Sequence, residues 1–187
     1  MAICAVDLKE RGRLAKNTVV GTIMTYFGFY RFCEQNGIRF VATKVGDRFV
    51  LEEMLLGDTV FGGEQSGHII FRDFATTGDG QLTATQLLSL LRRKKEKLSC
   101  LASVMKKCPQ TIINIKVYAE GKLHYYTDDE IKAAVEKAKI ALGDGGRIVV
   151  RPSGTEPLIR VMTEGDDSKL IEKLAKEVSS VIKKRLG

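Results

Sequence analysis

The sequence predicts an α/β domain with a mixed sheet, followed by a smaller α+β open-faced sandwich domain with the element order β-α-β-β-α. Short apolar segments alternate with helical patterns in the N-terminal half, as in layered α/β domains. Residues 94–109 are basic and end in a proline, which is typical of a linker. Beyond this stretch, apolar residues recur with period two and then at helical spacing. We therefore predict a first domain at residues 1–100 and a second at residues 101–187.

Strands and helices alternate through the first predicted domain. Apolar runs bounded by glycine or polar residues indicate strands, and a carboxylate ahead of a helical periodicity indicates a capped helix. The last helix of this domain, which Asp79 opens, should have Leu82, Leu87, Leu88 and Leu91 on its inner side. In chain order, the predicted elements are a helix at Ile3–Arg11, a strand at Thr18–Met24, a helix that runs through Phe32 and stops at Gly37, a strand at Ile38–Thr43, a helix capped by Asp47, a strand at His68–Phe71 and a long helix opened by Asp79.

The second predicted domain begins with a half-buried strand, because apolar and polar residues alternate along Ile113–Val117. Gly121 marks a turn. Asp128 or Asp129 then caps a helix that Gly143 ends. Two strands joined by a short loop and a final helix complete the β-α-β-β-α order.

Composition and cysteine use indicate a globular cytoplasmic protein. Apolar residues make up 44% and charged residues 28% of the chain, which is ordinary for globular proteins. No apolar run approaches the length of a membrane span, and the N-terminus lacks the charged flank and cleavage site of a signal peptide. The four cysteines form no CxxC pair, so we expect reduced, buried thiols and no metal site.

The net charge of +7 suits an anionic partner. Basic clusters lie at Arg92–Lys95, Lys106–Lys107 and Lys183–Arg185, near the ends of predicted helices, where cations interact favourably with the helix dipole. No aromatic residues alternate with them, as they would in a protein that binds single-stranded nucleic acid. We therefore favour solvated helix ends over nucleic-acid contacts, and predict neither a nucleic-acid nor a membrane partner.

The segment Arg151–Pro157 carries groups that suit a phosphate. The hydroxyls of Ser153 and Thr155 can donate hydrogen bonds to its oxygens, as can backbone N–H groups exposed in a turn. Gly154 should allow the backbone to approach the ligand and to adopt an unusual φ. The alternative is a hairpin turn whose Pro, Gly and Ser residues serve geometry alone.

Two arginines accompany this segment. A guanidinium offers phosphate a planar pair of donors, which lysine does not. If Arg151 pairs opposite Leu158 or Arg160 in the predicted hairpin, both arginines project to the same side and can converge on one anion.

A second group of polar residues lies in the glycine-rich segment Gly62–His68. Glu64 can accept hydrogen bonds from the hydroxyls or the amine of a sugar, and Ser66 adds a hydroxyl. His68 can relay protons near pH 7, although a structural histidine is the alternative. His124 lies in a solvent-facing hairpin pattern and is given no role.

A third cluster, Thr43–Arg48, follows a predicted strand. Ligands of open α/β sheets bind at the carboxyl ends of strands, so this cluster is a candidate binding segment. The alternative is a helix cap at Asp47 flanked by solvated charges.

The segments Gly62–His68 and Arg151–Pro157, in this order and at this separation, resemble motifs of the α-D-phosphohexomutases. The chain is most similar to the bacterial phosphoglucosamine mutase branch of that family, which Thr43–Arg48 and Thr76–Gly80 also resemble. Gln65, and Asp47 within Thr43–Arg48, point to the same branch. The resemblance covers essentially the whole chain.

The resemblance implies an isomerase that interconverts glucosamine 6-phosphate and glucosamine 1-phosphate, on the route to peptidoglycan amino sugars. In that family a phosphoserine donates its phosphate, and a bisphosphate intermediate then reorients. The resemblance implies that Gly46, Asp47, Glu64 and Ser66 bind the sugar and that His68 stands near the reacting groups as a catalytic residue. It implies that the phosphate that does not react is bound by Arg151, Ser153, Gly154, Thr155 and Arg160.

The sequence departs from this family in two places. The reactive serine of the family lies in a Thr-Ala-Ser-His-Asn-type loop and its Mg²⁺ binds an Asp-x-Asp-x-Asp loop, and neither pattern occurs here. We therefore expect a C-terminal part of such an enzyme, comprising its third domain, not necessarily complete at the N-terminus, and its fourth. Without acceptor and metal, phosphoryl transfer should not proceed in this chain alone.

Cofactor and partner expectations follow from the same resemblance. Mg²⁺ is expected in the full-length enzymes, with no metal ligand in this chain. The expected partners are a phosphorylated amino sugar and the missing N-terminal domains. The absence of the N-terminal domains would leave an apolar interface exposed on the first domain, through which chains could self-associate.

Three functional hypotheses remain open at this point. The first is the C-terminal part of a mutase, catalytic only in a full chain. The second is a stand-alone phosphosugar-binding or interaction module without catalysis. The third is a nucleic-acid binder that uses its basic helix ends, whose affinity should fall steeply with salt.

Overall fold

A computed structural model describes residues 1–118 and 120–187 of the chain. The chain divides into two compact units, Met1–Lys107 and Cys108–Gly187. Among the described residues, no helix combines the length and apolarity needed to cross a membrane.

The first unit is built on a four-stranded mixed sheet with the strand order β2-β1-β3-β4. Strand β1 is parallel to β2 and to β3, whereas β3 and β4 are antiparallel. In chain order, the elements are α1 (Ala2–Glu10), a 3₁₀ turn (Ala15–Asn17), β1 (Thr18–Thr22), α2 (Phe27–Gln35), β2 (Arg39–Thr43), α3 (Asp47–Leu56), β3 (Phe61–Gly63), β4 (Ile69–Phe71), α4 (Gly80–Lys94) and α5 (Leu98–Ala102).

Helices cover both faces of this sheet because β1 is apolar on both sides. Its five residues are all buried, and successive side chains point to opposite faces. Val19 packs into the cluster that contains Phe29 and Phe61, and Val20 packs into the cluster that contains Val50 and Met54. The α/β domain with a mixed sheet predicted from the sequence is confirmed.

The predicted linker is partly structured. Helix α5 lies inside it, and Met105 packs against a core cluster of the first unit. Residues 101–107 consequently group with the first unit, beyond the position 100 at which we placed the domain end. In α4, Leu90 is the buried residue and Leu88 is 65% exposed, so the prediction of an inward Leu88 is wrong.

The second unit is an antiparallel three-stranded sheet with the strand order β5-β7-β6. Two long helices pack on one face of it. In chain order, the elements are β5 (Gln110–Lys116), α6 (Gly121–His124), α7 (Asp129–Leu142), a 3₁₀ turn (Gly143–Gly145), β6 (Gly146–Pro152), β7 (Leu158–Gly165) and α8 (Ser168–Leu186). The predicted order β-α-β-β-α is confirmed, with α6 as a short addition.

The core of the second unit lies between α7, α8 and one face of the sheet. Ile115, Ile148, Ile159 and Val161 provide the sheet side of this core. Val150 packs against it as a partly buried residue. The opposite face of the sheet carries no helix among the elements described and is rich in polar side chains.

Helix ends in the second unit follow the sequence signals. The Asp128 side chain accepts a hydrogen bond from the backbone N–H of Ile131 and caps α7, and Gly143 ends this helix with φ 47°. The sequence predicted a turn at Gly121 and a hairpin pattern at His124, but Gly121 begins helix α6 and His124 ends it. The hairpin prediction for His124 is therefore wrong.

The cysteines are buried as expected except for Cys100, which is exposed on α5. Burial raises the pKa of the Cys33 thiol to about 12, which keeps it protonated and unreactive at neutral pH.

Candidate functional site

The first group of candidate residues lies at the carboxyl edge of the first sheet. Since β1, β2 and β3 are parallel, their carboxyl ends meet at one edge, where open α/β sheets bind ligands. The backbone N–H of Ile23 donates to the carbonyl of Thr43 at 2.9 Å, and the Thr43 hydroxyl donates to the carbonyl of Gly21 at 3.0 Å. The ends of β1 and β2 are thus joined where the candidate segment Thr43–Arg48 begins.

A hydrogen bond brings this segment to the glycine-rich motif. The backbone N–H of Gly46 donates to Oε1 of Glu64 at 3.0 Å. Gly46 has φ 131°, a conformation that favours glycine, and it precedes α3 directly. The structure therefore places Gly46 and Glu64 in contact, and the half-buried Glu64 carboxylate keeps an oxygen for other donors.

The glycine-rich motif forms a tight antiparallel hairpin, which we call the glutamate hairpin (residues 61–71). Its first two glycines, Gly62 and Gly63, are part of β3. A Cβ at Gly62 would lie 2.9 Å from the carbonyl of Val20, so glycine permits the close pairing of β3 with β1. The backbone N–H of Glu64 donates to the carbonyl of His68 at 2.8 Å, and Gly67 closes the turn with φ 102°.

The side chains of the turn differ in their surroundings. Gln65 and Ser66 lie exposed at the tip of the glutamate hairpin. His68 is exposed at its base, beside Gly78, where a Cβ would lie 2.9 Å from Cδ2 of the histidine. The segment Thr76–Gly80 therefore lies against His68, a contact that the sequence did not predict.

Asp47 lies one residue inside α3. Gly46 is the N-cap residue, and the Asp47 carboxylate accepts a hydrogen bond from the N–H of Arg48 at 2.9 Å. The prediction that Asp47 caps the helix is thus corrected by one position, because the φ of Gly46 lets the chain enter the helix there. Asp47 remains exposed at the same edge as Glu64.

The second group of candidate residues lies on the helix-free face of the second sheet. Arg151 on β6 pairs directly opposite Arg160 on β7, one of the two registers expected from the sequence. Paired residues project to the same face, so the two arginines are side by side. On the other side of β7, Asn114 pairs with Arg160, and its Oδ1 accepts a hydrogen bond from Nε of Arg160 at 2.9 Å.

This pair of arginines has no ionic partner in the part of the chain that the structure describes. Among residues 1–118 and 120–187, no carboxylate lies within 4.0 Å of the guanidinium of Arg151 or Arg160. The Nε atom of Arg151 is buried and has no hydrogen-bond partner in the described part of the chain. Burial, and secondarily the neighbouring Arg160, lower the pKa of Arg151 below its ordinary value. Two adjacent cations without a counter-charge make this face a candidate anion site.

The loop between the two arginines is held by its own hydrogen bonds. Ser153 Oγ accepts a hydrogen bond from the N–H of Glu156 at 3.2 Å, and the N–H of Ser153 donates to the carbonyl of Leu158 at 2.8 Å. Lys122 Nζ donates to the carbonyl of Glu156 at 3.0 Å. The Ser153 hydroxyl hydrogen stays available, and Thr155 is exposed.

Gly154 does not have the φ that the sequence suggested. It is not among the glycines with positive φ, and a Cβ at this position would meet no atom within 4 Å. The expectation of an unusual φ is therefore wrong. Open space beside the Gly154 backbone is nevertheless what a ligand approaching the loop would need.

A buried carboxylate on the same face was missed at the sequence level. Glu164 is fully buried, and Oε2 accepts a hydrogen bond from Nε of Arg147 at 2.7 Å. Its Oε1 accepts a hydrogen bond from Nε2 of Gln110 at 2.8 Å. These three residues lie in register across the three strands, so the contact could have been found only with the strand order known.

A metal site needs several ligand side chains close together. In the described part of the chain, no three or more His, Cys, Asp and Glu side chains lie together in a group that could hold a metal ion. The described residues therefore do not fit a Mg²⁺ site.

Comparisons with known families match both units. Residues 1–108 match the family described as phosphoglucomutase/phosphomannomutase, alpha/beta/alpha domain III. Residues 112–181 match its C-terminal domain. The two matches follow each other in the order of the two units of the structure.

Curated relatives are similar over the whole chain. A phosphoglucosamine mutase of Caldanaerobacter subterraneus subsp. tengcongensis is 50% identical over 187 residues, which is 100% of this chain and 42% of the relative. One from Clostridium botulinum (strain Kyoto / Type A2) is 47% identical over 186 residues and is covered to 41%. The chain thus spans less than half the length of the curated relatives it matches.

Solved structures share the fold. An N-acetylglucosamine-phosphate mutase in a substrate complex matches with a TM-score of 0.79 at 19% identity, over 97% of this chain and 42% of that one. An Aspergillus fumigatus N-acetylphosphoglucosamine mutase in complex with GlcNAc-6P and magnesium matches with a TM-score of 0.78 at 16% identity, over 98% of this chain and 43% of that one. At these identities the similarity establishes the fold of both units.

Proposed function

The chain belongs to the phosphoglucomutase/phosphomannomutase family, and on that premise we propose that it provides the sugar-binding and phosphate-binding domains of a phosphoglucosamine mutase. The similarity to phosphoglucosamine mutases over the whole chain supports the choice of branch. The substrate pair is glucosamine 6-phosphate and glucosamine 1-phosphate, used in the cytoplasm for peptidoglycan precursors. The first unit, Met1–Lys107, is the proposed sugar-binding part, and the second unit, Cys108–Gly187, is the proposed phosphate-binding part.

The juxtaposition of Arg151 and Arg160 carries the proposal for the second unit. Two guanidinium groups face the same side without a carboxylate partner in the described chain, and a dianionic phosphate would neutralise both. Nε of Arg160 donates its hydrogen bond to Asn114, so the two terminal NH₂ groups of the guanidinium remain to bind the phosphate. Ser153, Gly154 and Thr155 would add donors from the adjoining loop.

The hydrogen bond between Gly46 and Glu64 supports the proposal for the first unit. It orients the Glu64 carboxylate at the carboxyl edge of the sheet, where its free lone pairs can accept from sugar hydroxyls or an amine. Asp47 and Ser66 are exposed at or near this edge and provide further contacts. We assign His68 a place near the reacting groups because its ring is exposed at the base of the same hairpin.

Binding a phosphate that does not react would give this fold a way to use two substrates. A site that holds the remote phosphate of either isomer positions a different oxygen for transfer in each case. The binding energy of the remote group is then used for orientation.

We further propose that this chain does not turn over substrate by itself. The Thr-Ala-Ser-His-Asn-type and Asp-x-Asp-x-Asp patterns are absent from its sequence, and no metal-binding group occurs in the described residues. A phosphoserine and Mg²⁺ would have to come from domains that precede these two in the family. Formation of glucosamine 1-phosphate from glucosamine 6-phosphate and a hexose bisphosphate by the purified chain would overturn this proposal.

Calorimetric titration tests the binding site directly. Glucosamine 6-phosphate and glucosamine are titrated into the wild-type chain, Arg151→Ala and Arg92→Ala, an exposed arginine of α4 outside the site. We expect binding that requires the phosphate, is weakened at least about ten-fold by Arg151→Ala and is unchanged by Arg92→Ala. Equal affinities for wild type and Arg151→Ala would refute the assignment of the phosphate site.

A further inference from the structure

An open groove with a volume of about 740 Å³ runs between the free edge of β5 and the outer side of α8. It lies outside the arginine pair and belongs to the second unit alone. Strand β5 provides one wall and the C-terminal half of α8 provides the other. The lining residues are Ile113–Lys116, Lys176, Ser179, Ser180, Lys183 and Gly187.

Backbone groups of β5 face this groove. Strand β5 is at the end of the sheet order, and its bonds to β7 begin with Gly165 N–H to Pro109 O and end with Val117 N–H to Pro157 O. The direction of the backbone N–H and C=O groups alternates from residue to residue along an antiparallel strand. The backbone groups of the odd-numbered residues of β5 therefore point toward β7. Asn114 and Lys116 therefore direct their N–H and C=O groups away from the sheet, at the spacing that another strand would match.

A buried hydroxyl points to an occupant of the groove. Ser179 is 8% exposed, lines the groove from α8, and its Oγ has no hydrogen-bond partner among the described residues. Buried hydroxyls in folded proteins normally have a partner. A ligand in the groove would provide one.

The charge of the groove is positive. Lys116 lies on β5, and Lys176 and Lys183 lie about two turns apart along α8, each about one turn from Ser179. Lys176 pairs with Glu172 at 2.6 Å, whereas no carboxylate of the described chain lies within 4.0 Å of Lys116 or Lys183. No acidic side chain is found among the described residues that line the groove. The complementary ligand is therefore acidic.

We propose that the groove between β5 and α8 binds an extended acidic segment of a partner protein, which adds a strand to β5. A peptide repeats its N–H and C=O groups at the spacing of the β5 edge, which a phosphosugar cannot do. Side chains on one face of the added strand would reach α8, so that carboxylates at alternate positions meet Lys176 and Lys183 and one polar group meets Ser179. The lysines would select an acidic sequence, and the backbone pairing would select an extended one.

Fluorescence anisotropy tests the proposal with a defined probe. The probe is a labelled, acetylated nine-residue peptide in which Glu alternates with Val, and two matched peptides carry Gln for Glu or N-methylated amides along one edge. We expect the wild-type chain to bind the first peptide at least ten-fold more tightly than either of the others. Equal binding of all three would overturn the proposal.

Matched variants locate the site. Lys183→Glu reverses a charge in the groove, whereas Lys184→Glu reverses the charge of the next residue, which is exposed outside it. We expect Lys183→Glu to weaken binding of the acidic peptide at least ten-fold and Lys184→Glu to change it less than two-fold. Equal effects of the two variants would show charge attraction without a site and would sink the proposal.

Sedimentation of the chain alone addresses a second copy as the occupant. We expect a sedimentation coefficient that is independent of concentration over the range used for anisotropy. A dimer that the acidic peptide dissociates and that Lys183→Glu prevents would identify β5 of another copy as the ligand, contrary to the proposal.

Discussion

Gly46 and Glu64 are joined by a hydrogen bond from a backbone N–H to a carboxylate oxygen, at 3.0 Å, across 18 positions of sequence. The bond links the start of α3 to the glutamate hairpin. It fixes an acceptor at the edge where three parallel strands end. The carboxylate of Glu64 can therefore serve the fold through one oxygen and a ligand through the other.

We predict that Glu64→Gln retains the fold and loses sugar affinity. An amide oxygen still accepts the hydrogen bond from Gly46, so the free energy of unfolding should change by less than about 1 kcal/mol. A neutral acceptor holds an ammonium or hydroxyl group more weakly than a carboxylate, so the affinity for glucosamine 6-phosphate should fall about ten-fold. Denaturant unfolding and calorimetry measure the two effects. Glu52→Gln, an exposed carboxylate of α3, is the control, and an unaltered affinity of Glu64→Gln would contradict a role in binding.

Arg147 and Arg151 allow a matched comparison on one strand. Arg147 pairs with the buried carboxylate of Glu164 at 2.6 Å, whereas Arg151 faces another arginine. We predict that Arg147→Met lowers the free energy of unfolding by about 3 kcal/mol or more, since it leaves a buried charge unpaired. Arg151→Met should leave it unchanged or raise it by up to about 1 kcal/mol, since it removes a buried unpaired donor beside a like charge.

Chemical denaturation of both variants measures this difference in stability. Titration of glucosamine 6-phosphate into the same variants measures their ligand affinity. Arg151→Met should abolish phosphate-dependent binding while the chain stays folded. A loss of stability in Arg151→Met as large as that in Arg147→Met would show that the second arginine serves the fold and not an anion.

Asn114 accepts a hydrogen bond from Arg160. We expect a negative charge introduced at position 114 to weaken ligand binding more than removal of the side chain does. We predict that Asn114→Asp weakens glucosamine 6-phosphate binding about ten-fold, because a carboxylate at 2.9 Å from Nε competes with the phosphate for the guanidinium. Asn114→Ala should weaken this binding less than Asn114→Asp does, since it removes the acceptor that orients Arg160 without adding a negative charge. Calorimetry at two salt concentrations measures both, and the opposite order of the two affinities would count against this role.

The cap of α7 provides a prediction about pH. The hydrogen bond from the Ile131 N–H, and then Arg185, lower the pKa of Asp128 below its ordinary value of 3.8. A carboxylate whose pKa is lower in the folded state stabilises the fold fully above 3.8, and this contribution is lost as the pH falls through the folded pKa. Asp128→Ala should therefore lower the free energy of unfolding by about 1 kcal/mol at pH 7.

Asp128→Asn isolates the charge, since asparagine is also a good cap. Its deficit against wild type should be smaller than that of Asp128→Ala at pH 7 and should vanish when the pH falls well below 3.8. Urea denaturation between pH 7 and pH 2.5 follows the difference, and a deficit that grows with acidity would show that the sign is wrong.

Local signals in the sequence predicted much of the second unit. Period-two alternation along Ile113–Val117 and the two apolar segments around the arginine loop predicted the strands and left Leu158 and Arg160 as possible partners of Arg151. The register of the hairpin, which the structure shows, selects Arg160. The cap at Asp79 was likewise predicted from side-chain chemistry within three residues, and the cap of α7 was narrowed to Asp128 or Asp129, of which the structure shows Asp128.

Contacts between segments distant in sequence could not be predicted in this way. The bond between Gly46 and Glu64 depends on β3 pairing in parallel with β1, and Gln110 meets Glu164 only because β7 lies between β5 and β6. Neither strand order follows from periodicity. Helix α6 was missed for a different reason, since a single helical turn carries too few residues for a period to show.

Asn114 belongs to two surfaces at once. Its side chain touches Arg160 on the face proposed to hold phosphate, and its backbone N–H and C=O point into the groove between β5 and α8. A strand added to β5 and a phosphate held by Arg160 would therefore be thermodynamically linked through one residue. By reciprocity, whatever factor the peptide imposes on the phosphate affinity, the phosphate must impose on the peptide affinity.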